Sequence, residues 1–77
     1  MTNSSYSLYT MSLQFSRNLA MVMGRMPAAQ LARELGVTTS AVCAWLAGRK
    51  MPTVQRLVTI AERFETTVDA LLSEQHP

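Results

Sequence analysis

The sequence predicts an all-α fold, a bundle of five short helices. Three observations predict it. Apolar residues recur at spacings of three and four along most of the chain. Glycine or proline interrupts that pattern at Gly24, Pro27, Gly36, Gly48 and Pro52. Threonines stand where helices would begin, at Thr38, Thr53 and Thr67.

The first helix is expected to start at Ser12 as its cap, with Phe15, Leu19, Val22 and Met26 on one face and Gly24 at its end. Residues 1–11 are polar and rich in Ser and Thr, with Tyr6, Leu8, Tyr9 and Met11 among them. They are expected to form a flexible arm, or one that packs on a partner subunit. The segment MPAAQLAREL reads as the second helix, with Pro27 in its first turn, Ala28, Leu31, Ala32 and Leu35 inward, and Gly36 turning the chain. The third, TTSAVCAWLAG, is capped by Thr38, buries Val42, Trp45 and Leu46, and stops at Gly48. The loop RKMP follows. In the fourth, TVQRLVTIAERF, Thr53 is the cap and Val54, Leu57, Ile60, Ala61 and Phe64 face inward. The fifth, TTVDALL, is capped by Thr67 and carries Val68, Leu71 and Leu72 on its apolar side. Residues 12–73 are thus expected to form one domain, with 74–77 as a polar, disordered tail.

Composition narrows the function. Seventy-seven residues are near the lower limit for an unstapled domain. The single cysteine, Cys43, forms no internal disulfide, and the single histidine, His76, lies in the tail, so no metal site is expected. The net charge is +2, with only 16% of residues charged, which permits nucleic-acid binding without demanding it. No apolar run is long enough to span a membrane, and MTNSSYSLYTMS lacks the basic and apolar regions of a signal peptide. A cytoplasmic location is expected. Catalysis has no support. There is no Ser/His/Asp set and no phosphate-cradling glycine loop, and Glu34, Glu62, Glu65, Asp69 and Glu74 are scattered. Neither an enzyme, nor a cofactor, nor a small-molecule ligand is expected.

The informative unit is helix, glycine turn, helix. Ala32 is small and four residues before Gly36; Val42 is β-branched and six residues after it. A small residue lets two steeply crossing helices approach, and an apolar one pins the second. Trp45 could offer a stacking platform for bases, but its spacing from Val42 marks it as core. A lone thiol at Cys43 with no basic neighbour reads as inert rather than as a redox switch.

The stretch from Phe15 to Leu72 resembles the DNA-binding domain of the phage repressor and Cro family, also called the Xre family. The resemblance rests on Leu31–Ala32, on LGV at Leu35–Val37, and on Val42 and Trp45. GRKMP after the third helix and LVTIAERF…VDALL at the end complete it. It implies a fold of the lambda-repressor-like helix-turn-helix type, with the third helix in the major groove of double-stranded DNA. Thr39, Ser40, Cys43 and Ala44 would then face base edges. Phosphates would be met by Arg25, Thr38, Arg49 and Lys50, and by the backbone amides at Ala28, where the helix dipole favours an anion. Arg33 is a weaker candidate.

Three departures from the family pattern stand out. Many relatives carry Gln at the position of Ala28, so only the backbone contact carries over. The reading positions lack Arg, Asn and Gln, so no bidentate base pair, each worth about 1–3 kcal/mol of discrimination, is available. Thr39 and Ser40 can bond several bases, while Cys43 and Ala44 offer weak or apolar contact, such as with a thymine methyl. Modest specificity per half-site follows, supplemented by dimerisation and DNA shape. Many relatives also pair a Glu after the aromatic with an Arg of the first helix. Here those positions are Leu46 and either Met21 or Ala20. Losing both partners of an ion pair strands no charge, and Leu46 is expected to pack against the first helix.

The resulting expectation is a sequence-specific, Cro- or repressor-like transcriptional regulator of prophage or plasmid origin. It would be encoded by a bacterium or phage, associate with the nucleoid, and bind a pseudo-palindromic operator as a homodimer. Val68, Leu71 and Leu72 are the expected dimer surface. The alternatives are a helix-turn-helix fold used for protein contact, or a DNA-binding antitoxin.

Overall fold

The computed structural model describes residues 8–74, with side chains from Thr10 onward. Residues 1–7 of the expected arm (1–11) and 75–77 of the expected tail (74–77), including Tyr6 and His76, lie outside the described residues. Five helices follow in order: α1 (Leu8–Met23), α2 (Ala28–Leu35), α3 (Thr39–Leu46), α4 (Val54–Arg63) and α5 (Val68–Leu72).

One core serves all five. Phe15 and Leu19 of α1, Leu31 of α2, Val42 of α3, Ile60 of α4 and Leu71 of α5 are almost wholly enclosed. Trp45, Met23, Leu57, Ala32 and Ala61 complete the cluster. α3 packs on α2 and α1, α5 packs on α1 and α4, and α2 meets α4. Ala32 and Val42 are both buried at the α2–α3 crossing. Between those helices Gly36 adopts φ 72°, a left-handed turn that L side chains resist. Val37 then donates its amide back to Ala32 O at 3.0 Å.

The three threonine caps form as expected. The Thr38, Thr53 and Thr67 hydroxyls accept from the amides of Ala41, Arg56 and Ala70. Pro27 is the residue just before α2 rather than its first helical residue, and it offers no side-chain cap.

Several expectations are corrected. Ser12 is not a cap: α1 begins four residues earlier, at Leu8, and Ser12 is buried within it. Met11, half-buried, and Phe15, buried, stand four residues apart across Ser12, so the apolar spacing runs on to the N-terminal side of this hydroxyl. Residues 8–11, expected in the arm, belong to this helix. Met26 lies past the end of α1, and Met23 takes the buried position instead. Val54 is not inward but 74% exposed. It opens α4, to one side of the stripe formed by Leu57, Ile60, Ala61 and Phe64.

Leu71 cannot serve as dimer surface. It is only 1% exposed, because α5 is too short to stand alone and spends this side chain on its own core. Val68 and Leu72 are half-buried against the same core. Leu46 is half-buried and packed on the core, whereas Met21 and Ala20, the candidate counterpart positions, face solvent.

Candidate nucleic-acid interface

α3 is short and neutral, and it leaves the core along one side. Val42 and Trp45 are held inside, while Thr39, Ser40 and Cys43 are exposed. That division follows the helical period: Val42 and Trp45 are three apart, and Thr39 and Cys43 four apart on another face. Ala47, just past the helix, is also exposed.

A loop leaves the end of α3 and turns back beside it. Gly48 has φ 76°, and the Arg49 amide donates to Ala44 O at 3.0 Å. A six-residue closure of this kind directs the following chain sharply away from the helix axis. It brings Arg49 and Lys50 to one rim of a hollow of about 320 Å³. Thr38, Ser40, Ala41, Ala44 and Trp45 line the rest. Thr38 and Ser40 bring two hydroxyls to the lining, Ala41, Ala44 and Trp45 are apolar, and no carboxylate among the described residues lines the hollow. Neither Arg49 nor Lys50 forms an ion pair among the described residues, so both charges face outward uncompensated. Long cationic side chains beside a shallow, hydroxyl-bearing helix face suit a polyanion with readable edges.

The structure thus brings together Thr38, Ser40, Ala44, Arg49 and Lys50 from the residues singled out in the sequence. Thr39 and Cys43 are exposed on α3 but do not line the hollow. Ala44 needs a correction: it is only 7% exposed, so its methyl forms wall rather than probe. Ala28 opens α2 and is half-buried, and Arg25 is exposed in the turn before it; both lie outside the hollow. The first bonded amides of α2 are those of Gln30 and Leu31, which donate to Pro27 O. The amides of Ala28 and Ala29 precede them, at the positive end of the helix. Cys43 is exposed as a free thiol.

Sequence reasoning missed two lining residues. Ala41 lines the hollow because it shares its helix face with Ala44, three residues on. Trp45, expected as core, is indeed buried, yet its edge also forms part of the floor.

Arg33 is exposed on α2, and its neighbour Glu34 is bound by Arg63 of α4. The Arg63 hydrogen bond, with a second from Gln30, holds the Glu34 carboxyl below its ordinary value. That pair ties α2 to α4. Arg56 adds to the tie, donating to Leu35 O at 3.3 Å. No group of His, Cys, Asp or Glu among the described residues is placed to hold a metal. No helix among them is long and apolar enough to cross a membrane.

Comparison with known proteins agrees with this geometry. No curated protein matches the chain. Among solved structures, the solution structure of the SOS-response transcriptional repressor LexA from Eubacterium rectale is similar in fold. The identity is 19% and the TM-score 0.80, over 84% of this chain and 71% of that one. A family model described as helix-turn-helix matches residues 22–71, which run from the end of α1 to the core leucine of α5. The chain therefore belongs to the helix-turn-helix family, of the repressor/Cro (Xre) type, whose members are DNA-binding regulators.

Proposed function

We propose that this protein is a Cro- or repressor-like transcriptional regulator that binds a pseudo-palindromic DNA operator as a homodimer. The observation that carries the reading is the hollow beside α3, which Arg49 and Lys50 line together with Thr38, Ser40 and the apolar Ala41, Ala44 and Trp45. In this reading α3 enters the major groove, Thr39 and Ser40 bond base edges, and Cys43 and the Ala44 wall meet apolar base surface. Arg49, Lys50, Arg25, Thr38 and the first amides of α2 at Ala28 hold phosphates and fix the register. Two copies would set their α3 helices about 34 Å apart, on successive major grooves. Val68 and Leu72 remain candidates for the contact between copies. A cytoplasmic, nucleoid-associated protein of prophage or plasmid origin fits this role.

A second reading, a helix-turn-helix fold turned to protein contact, draws on the absence of Arg, Asn and Gln from Thr39–Leu46. One experiment separates the two. Purified protein is used to select bound sequences from a random duplex library at near-physiological salt. Enrichment of one inverted repeat is the expected outcome. Binding without enrichment, collapsing as salt rises, would leave only phosphate contacts. An absence of binding would overturn the DNA reading in favour of a protein partner.

A further inference from the structure

The end of α3 is anchored from outside the helix. Of its last four carbonyls, three are met by the following backbone. The Ala47 amide donates to Cys43 O at 2.9 Å, the Arg49 amide to Ala44 O at 3.0 Å and the Gly48 amide to Trp45 O at 3.1 Å. The fourth, Leu46 O, is met by the Ser16 hydroxyl of α1 at 2.6 Å, thirty residues away in sequence. A helix end left without such a partner would have to find water. Beside this bond the turn that follows α3 comes close to α1. A Cβ on Gly48 would lie 3.1 Å from Cδ2 of Leu13 and 3.8 Å from Ser12 O.

We propose that Ser16 is a positioning residue for DNA recognition, whose hydroxyl fixes the last turn of α3 and so the register between the Arg49–Lys50 grip and the base-facing residues. The inference rests on the reading of α3 and its loop as the DNA surface. α3 has only eight residues, so its last turn and the turn bearing Thr39 and Ser40 move as one body. The loop with both cations leaves from that same last turn. Thr39 and Ser40 have short side chains, and a drift of about 1 Å takes their hydroxyls out of hydrogen-bonding range of a base edge. Arg49 and Lys50 have long, flexible stems that follow a phosphate through the same drift. Loss of the Ser16 bond therefore costs discrimination before it costs phosphate affinity.

The test compares wild type, Ser16→Ala and Ser16→Thr on two duplexes, the sequence enriched by selection and a scrambled duplex of equal length. Measurements are made well below each variant's melting temperature. Ser16→Ala is expected to narrow the affinity ratio about fivefold, the order expected for one neutral hydrogen bond, with the scrambled duplex bound as before. Ser16→Thr, which keeps a hydroxyl on the same carbon, is expected to restore the ratio. Should Ser16→Ala fail to fold, Ser16→Cys fills the same space with a weaker donor and is expected to narrow the ratio in the same direction. An unchanged ratio in a folded variant overturns the proposal. So does equal weakening on both duplexes that threonine does not reverse. A wild-type ratio near one is a different result: it removes the sequence-specific reading itself, before any substitution is made.

Discussion

The Asn18 carboxamide of α1 donates to Leu71 O of α5 at 2.7 Å, and the same nitrogen lies 2.8 Å from Ser73 O and 3.2 Å from Ala70 O. One buried side chain, 2% exposed, thus satisfies the carbonyl end of a five-residue helix. Three surrounding carbonyls fix the amide orientation, since only the nitrogen can donate. The cost is that Oδ1 is buried without a partner. Asn18→Ala would remove the donor to Leu71 O and Ser73 O, leaving Ala70 O only its bond from the Ser73 hydroxyl, and is expected to lower unfolding stability by about 1–3 kcal/mol. Asn18→Asp is expected to be worse, because a carboxylate only accepts and would face acceptors. Chemical denaturation measures both. Amide exchange should show the loss concentrated in α5.

Glu65 ends α4 in the left-handed region, at φ 56°, the one described non-glycine residue to do so. The bond from the Thr66 amide to Ala61 O, 2.8 Å, closes the helix around it. A left-handed L residue costs about 1–2 kcal/mol, and glycine gives back roughly half through its freer unfolded chain. Glu65→Gly is therefore expected to raise stability by roughly 0.5–1 kcal/mol, seen as a higher denaturation midpoint with an unchanged slope. A lower midpoint would mean that the Glu65 side chain makes a contact worth more than the strain.

Much of this fold is legible in the sequence, because caps and glycine turns are local chemistry. Thr38, Thr53, Thr67 and Gly36 each act through atoms within a few residues, so their roles can be read one after another. What escaped reading depends on distant partners. Ser12 has the chemistry of a cap, but its burial within α1 depends on what the helix packs against. Val54 looked inward because periodicity does not say where a neighbouring helix ends. Leu71 was legible as apolar, but not as belonging to this chain's core rather than to a second copy. At the site, Arg49 and Lys50 follow from their place after Gly48. The hollow they border depends on how α3 meets the loop, and Ser16 carries no local sign of reaching Leu46.

Leu46 occupies a position where relatives of similar pattern place a carboxylate. Here the side chain is half-buried against the core, and its carbonyl is held by Ser16. A carboxylate introduced there would be partly desolvated, and neither Met21 nor Ala20 carries a charge to pair with it. Leu46→Glu is expected to lower stability by about 1–3 kcal/mol. A variant more stable than wild type in urea would show that Leu46 contributes no packing.

The Glu34–Arg63 bridge gives stability a pH dependence. Hydrogen bonds from Arg63 and Gln30 hold the Glu34 carboxyl below its ordinary value of 4.5 in the folded chain. The unfolded chain therefore takes up the proton first, and the bridge contributes fully above 4.5. Its contribution fades as the pH falls through the lower folded value. Glu34→Gln is expected to be less stable than wild type at neutral pH and to converge with it on acidification. Both residues are substantially exposed, so added salt should shrink the neutral-pH difference as well. A difference that persists in acid would assign the loss to packing instead.

Arg49 and Lys50 are expected to separate grip from reading. Each lines the hollow and has no acidic partner among the described residues, so each can neutralise one phosphate and release its counterion. Arg49→Ala and Lys50→Ala should weaken binding to enriched and scrambled duplexes by similar factors. Each should also reduce the slope of log affinity against log salt by about one. Thr39→Ala should do the opposite. It removes a hydroxyl from the exposed start of α3 and no charge, so the slope should stay as it was while the preference between duplexes falls. If Thr39→Ala left the preference intact and Arg49→Ala abolished it, discrimination would reside in the loop, and α3 would serve as the strut that presents it.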